Sequence, residues 1–181
     1  DLSVLTVRPE IVDAEILQIL LDTNFKYDPT RTSQTKSALE TLVRATLLSF
    51  DDSELTGFDT LFRHSQLSTK IDSTENSILS NITNVKLRKN YTVTVDGTAS
   101  SIKLDFGNAA YNPHSGHNAS GGGILSTTGF FLSGDSNNYF FDEDGKGNVR
   151  RYYLNGSTRV YSDNTAGTII YSTGVISINS L

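Results

Sequence analysis

Two groups of side chains in this sequence could do chemistry. In FDEDGKGNV (141–149), Asp142, Asp144 and Asn148 supply oxygen donors at short spacing, and Gly145 and Gly147 permit a tight turn. Hard cations such as calcium are held by oxygen ligands of this kind. The helix-loop-helix calcium signature, however, needs a longer ladder of ligands ending in Glu, and that Glu is missing here. The flanking NYFF and VRRYYL are strand-like. The preferred reading is therefore a hairpin whose turn is acidic because it is exposed, with Asp142, Asp144 and Asn148 kept as metal candidates behind it. The second group is His114 and His117. Zinc asks for three or four ligands, and the third histidine of the chain, His64, falls in a predicted helix of the other half. The pair reads as a solvated loop pair, so neither a metal nor a cofactor is expected.

Nucleophilic chemistry finds no support. No serine sits in a Gly-x-Ser-x-Gly elbow, and Gly121-Gly122-Gly123 does not precede a helix as a phosphate cradle would. Cysteine is absent, which removes disulfides and thiolate sites. Glu40, Glu54 and Asp51-Asp52 are accounted for by solvated helix faces and turns. No catalytic residue is expected, and the chain is read as a non-enzyme.

The elements that must position these residues change character midway. LSVLTV (2–7) is a short strand candidate stopped by Pro9. In 15–27 the residues Leu17, Ile19, Leu21, Phe25 and Tyr27 alternate with Gln18, Asp22, Asn24 and Lys26, the pattern of a half-buried strand. From 34 to 50, after a cap at Thr32 or Ser33, the period becomes helical, with Leu39, Leu42, Val43, Leu47 and Phe50 in one stripe. DDSELTG breaks that helix. Asp59 caps a second one to about Ser73, burying Leu61, Phe62, Leu67 and Ile71. Residues 84–95 alternate again, with Val85, Leu87, Tyr91, Val93 and Val95 inward. Asp96-Gly97 then marks a turn and a boundary. Beyond it only strands are predicted, at 101–106, 129–133, 138–142, 148–154, 158–162, 168–172 and 175–179. The connector 111–123 reads as an exposed mobile loop. GTIIYSTGVISI (167–178) predicts a hairpin whose loop is Thr173-Gly174, pairing Ser172 with Val175, Tyr171 with Ile176 and Ile169 with Ile178. The fold class is α+β: a strand-helix-helix-strand unit over 1–95, then an all-β module over 96–181 ending in a hairpin.

Bulk composition narrows the partners. The 181 residues are 36% hydrophobic and 19% charged, with a net charge of −5. An acidic chain lacks the basic field that nucleic acid or an anionic membrane surface needs, so neither is expected as partner. No run approaches the roughly 20 apolar residues of a membrane span. Methionine is absent and the chain opens Asp1-Leu2-Ser3, which predicts a segment of a longer protein.

The order of these elements resembles the baseplate-J-like family of contractile phage tails, more narrowly the baseplate wedge proteins of T-even-like phages. The residues that carry the likeness are LSVLTVRPEIVDAEILQILLDTNFKYDP, the helix TKSALETLVRATLLSF, and FDTLFRHSQLSTKIDSTENSILSNITNVKLRKNYTVTV, with the closing GTIIYSTGVISI after DFGNAAYNP. The resemblance implies the C-terminal part of the large wedge subunit, a structural component of the virion tail baseplate, assembled in the host cytoplasm. It implies contacts with copies of itself, as a homodimer or ring, and with other wedge proteins. The self-contact is expected through the helix at 34–50 (Leu39, Leu42, Val43, Leu47, Phe50) and the first sheet, with the β module directed toward other wedge components. The alternative reading is a tail-fibre or adhesin-type β domain that binds a surface glycan through Tyr139, Phe140, Tyr152 and Tyr153, with calcium at 142–148.

Overall fold

The computed structural model describes residues 16–57, 60–93, 101–117 and 123–179. The strand expected at 2–7, the cap at Asp59, the turn at Asp96-Gly97 and Gly121-Gly122 lie outside the described residues. The chain is α+β, and Gln18–Arg88 forms one compact unit while the residues from Lys89 onward belong to another.

In the first unit, strand β1 (Gln18–Tyr27) pairs antiparallel with β2 (Ile78–Arg88). Between them run helix α1 (Lys36–Phe50) and helix α2 (His64–Asp72). Alternation in β1 sends Leu21 and Phe25 toward a core of Val43, Phe50, Leu67, Ile71 and Ile78, with Leu47, Leu55 and Phe62 packed against it. Thr35 caps α1, accepting from the Ala38 amide at 3.2 Å; the hydroxyl of Thr32 instead accepts from the Gln34 amide at 3.0 Å. Three details depart from the sequence reading. The helix does not break at Asp51, whose amide still bonds the Leu47 and Leu48 carbonyls, but continues into a π-helical turn, Asp51–Leu55. Helix α2 begins only at His64, which leaves Leu61 outside it and exposed. Strand β2 starts six residues earlier than 84 and ends at Arg88, so Val85 and Leu87 point inward as expected while Tyr91 and Val93 are exposed beyond the strand.

The second unit is a six-stranded antiparallel sheet. Its strands are β3 (Ile102–Asp105), β4 (Phe130–Phe131), β5 (Asn138–Glu143), β6 (Asn148–Asn155), β7 (Thr158–Ile170) and β8 (Val175–Ile178), in the order β3-β8-β7-β6-β5-β4. Strands β4 to β8 form a meander, and β3 comes from upstream to pair outside β8. One face carries the core: Ile102, Phe141, Val149, Ala166, Ile169, Ile176 and Ile178, with Leu104, Phe106, Ala110, Leu125, Phe130 and Tyr171 packed on it. Where two strands were expected at 158–162 and 168–172, one strand of 13 residues runs through. It absorbs the polar DNTAG stretch as an irregularity: Arg151 faces Asp163 and Val149 faces Gly167, so Asn164, Thr165 and Ala166 bulge opposite Arg150 alone.

The closing hairpin also differs from expectation. Its turn spans 171–174, not two residues, with the Gly174 amide bonded to the Ile170 carbonyl at 2.8 Å. Ile170 faces Val175, Ile169 faces Ile176 and Gly167 faces Ile178. Gly174 has a φ of 69°, the left-handed conformation that glycine adopts without strain. The pairing slips by two residues from the expected one, and an even slip keeps every side chain on its face. Ile169, Ile176 and Ile178 are accordingly all buried.

Candidate functional site

On the face of the second sheet opposite its core, a carboxylate is held by two arginines under a stack of rings. Antiparallel partners share a face, and the register β5-β6-β7 puts Asp142 beside Arg150, Phe140 beside Tyr152, and Tyr152 beside Tyr161. Asp142 is 1% exposed. Its Oδ1 accepts from Arg150 Nε at 3.0 Å, and its Oδ2 accepts from Arg159 Nη1 at 2.8 Å and from the Tyr161 hydroxyl at 2.9 Å. Arg150 also donates to the Glu143 carbonyl at 3.1 Å. The guanidinium of Arg150 lies 4.3 Å from the centre of the Tyr161 ring and that of Arg159 lies 4.8 Å from the Tyr152 ring, close enough for cation–π attraction. Phe140 stacks on Tyr152 with centroids 5.6 Å apart. Two positive groups thus converge on one negative group.

Beside this cluster, Asp144, Lys146, Asn148, Arg150, Asn164 and Thr165 line an open depression of about 420 Å³. The bulge in β7 supplies Asn164 and Thr165. Asp144 organises the turn: its Oδ1 accepts from the amides of Lys146 at 2.8 Å and Asn148 at 3.0 Å, and its Oδ2 from the Asn148 side chain at 2.7 Å. Burial pushes the Asp144 carboxyl up, but these hydrogen bonds and the charge of Arg150 outweigh it and leave the value below the usual carboxylate range. Of the three calcium candidates, Asp142 bonds the two arginines, and Asp144 bonds Asn148 and the turn backbone. Among the described residues, no group of three or more His, Asp or Glu side chains could hold a metal ion.

Glu143 faces the other way, into the core, and is 0% exposed. Its carboxylate accepts from the Ile124 amide at 2.9 Å, from the Gly145 amide and from the Tyr171 hydroxyl. These donors tie the end of the long connector to the sheet. Gly123, with a φ of 74°, lies so close that a Cβ there would stand 2.0 Å from Glu143 Oε1. The start of the connector is tied as well: the Asn112 side chain and the Gly116 amide both donate to the Gly145 carbonyl, at 3.2 and 2.7 Å. The described parts of 111–123, expected as an exposed mobile loop, are largely exposed and carry hydrogen bonds to the β5–β6 turn. On this loop His114 Nε2 and His117 Nδ1 are 3.1 Å apart. His64 belongs to the other unit, where its Nε2 bonds the Thr83 carbonyl at 2.9 Å.

The helical stripe has mixed exposure. Leu39, Val43 and Phe50 are buried within the first unit, Leu47 is half-buried, and Leu42 is exposed, as is Leu48, which lies off the stripe. The proposed glycan platform is divided by strand alternation. Tyr139 and Tyr153 meet on the core face, with centroids 5.7 Å apart, while Phe140 and Tyr152 stack on the opposite one. Sequence reasoning missed Arg150, Arg159, Tyr161, Glu143 and Tyr171. The signal available was alternation: 140, 142, 150, 152, 159 and 161 share a face only once the β5–β6–β7 register is known.

Residues 15–90 match the family described as baseplate structural protein gp6, C-terminal domain III. The matched stretch coincides almost residue for residue with the compact unit Gln18–Arg88. No curated protein matches the chain. The match lies on the first unit and supports a structural role in a phage baseplate for the stretch it covers. No helix among the described residues is long and apolar enough to cross a membrane.

Proposed function

We propose that the chain is a wedge component of a contractile-tail baseplate that joins neighbouring subunits, its own copies included, by protein–protein contact. The observation that carries this reading is the coincidence of the family match with a whole folded unit: the likeness spans both strands, both helices and the core between them. Leu39, Val43 and Phe50 hold α1 from inside, and Leu42 and Leu48 on α1 with Leu79 and Ile82 on β2 are apolar groups left exposed. These side chains are among the apolar groups of the first unit open to a partner protein.

The test is a variant carrying Leu48→Glu and Ile82→Glu. Both side chains are exposed, so its melting temperature stays within a few degrees of the parent protein. It loses sedimentation with the other baseplate proteins. Normal incorporation by this variant, together with a strictly monomeric parent chain at high concentration, would overturn the reading.

A further inference from the structure

We propose that His114 and His117 form a two-imidazole site for a divalent transition metal ion. The two ring nitrogens that face each other, His114 Nε2 and His117 Nδ1, are 3.1 Å apart, and the rings are set at 89° with centroids 4.8 Å apart. Two nitrogens bound at about 2.0–2.1 Å to one tetrahedral zinc stand roughly 3.3 Å apart. The pair already has the separation that a shared ion imposes on its ligands. Small rotations of the side chains would turn both lone pairs toward one point.

The backbone holds the pair in that arrangement. The His117 amide bonds the His114 carbonyl at 3.0 Å, closing a turn, and the Gly116 amide between them bonds the Gly145 carbonyl at 2.7 Å. The Tyr111 ring meets His117 edge-to-face at 5.5 Å. Both imidazoles are exposed, so an ion reaches them without unfolding anything. The proton account is simple. One N–H now bridges the two nitrogens. On binding, that proton moves to the other nitrogen of its own ring, the ion takes its place, and neither ring changes charge. Imidazole selects zinc, copper and nickel over calcium and magnesium, which prefer oxygen. With two protein ligands, the remaining positions are open to water or to a donor from a neighbouring molecule.

The experiment is a calorimetric titration of the untagged full chain with Zn2+. One ion binds per chain. His114→Ala and His117→Ala each weaken binding about tenfold or more, and the double substitution removes it. His64→Gln, in the other unit, leaves the affinity within about twofold, and Ca2+ gives no binding that the double substitution removes. Melting curves without zinc show that the variants keep the fold, and His117→Asn serves as the second variant because it keeps a polar side chain at the turn. Zinc binding by the parent chain that is no tighter than that of the double variant overturns the proposal.

Discussion

Asp142 shows how a residue acquires its role from partners distant in the chain. It is buried and bonded to Arg150, Arg159 and Tyr161. Removing one partner of a buried ion pair strands the other charges, at a cost of several kcal/mol when all are enclosed. Here the guanidiniums reach solvent, so Asp142→Ala is expected to cost about 2 kcal/mol, read as a lower urea midpoint. The exposed Lys36–Glu40 pair at 3.6 Å is the contrast: Glu40→Gln should shift the midpoint by less than about 0.5 kcal/mol. Tyr171 makes a prediction at alkaline pH. Burial first, then its hydrogen bond to Glu143 and the charge of that carboxylate, push the phenol above its ordinary value. In the unfolded chain a tyrosine ionises near about pH 10. The folded protein holds the proton more tightly, so this contribution is complete below that pH and drains away as pH rises past it. The melting temperature should fall more steeply above about pH 10 in the parent protein than in Tyr171→Phe.

At the scale of elements, what could be read from the sequence was what depends on local periodicity. The 3.6-residue period placed Leu39, Val43 and Phe50 on the buried side of α1, and the two-residue period placed Leu21 and Phe25 inward on β1. Alternation also chose the correct face for Ile169, Ile176 and Ile178 while missing their pairing, because face follows pattern and register follows the turn. The start of β2 was hidden by its polarity: Ser77 and Thr83 are buried with hydrogen-bond partners, Ser77 with Glu75 and Thr83 with Thr23 and Asn81. The Asp142 cluster was invisible for a different reason. Arg159 reaches it across two strand pairings, and no local spacing encodes that. The anchored connector yields a further test. Gly123→Ala must bear a left-handed backbone and push Glu143 from its donors, so a loss of about 2 kcal/mol or more is expected, again from urea unfolding.

For the whole molecule, the two units each have their own core. Leu67→Ala empties the first and Ile176→Ala the second, each at about 2–4 kcal/mol. Calorimetry should show each substitution lowering a different part of the melting profile. The outer border of the second sheet has a consequence for the behaviour of the protein in bulk. Strand β4 covers β5 only at Asn138 and Tyr139. Further along, the Phe141 amide bonds the Thr127 hydroxyl at 3.0 Å, and Glu143 draws the Ile124 amide alongside. Side chains stand there in place of a neighbouring strand, and a border so occupied offers no template for fibril growth. Such a hem keeps the sheet from growing by edge pairing, and Thr127→Val should shorten the lag before thioflavin-positive aggregates form.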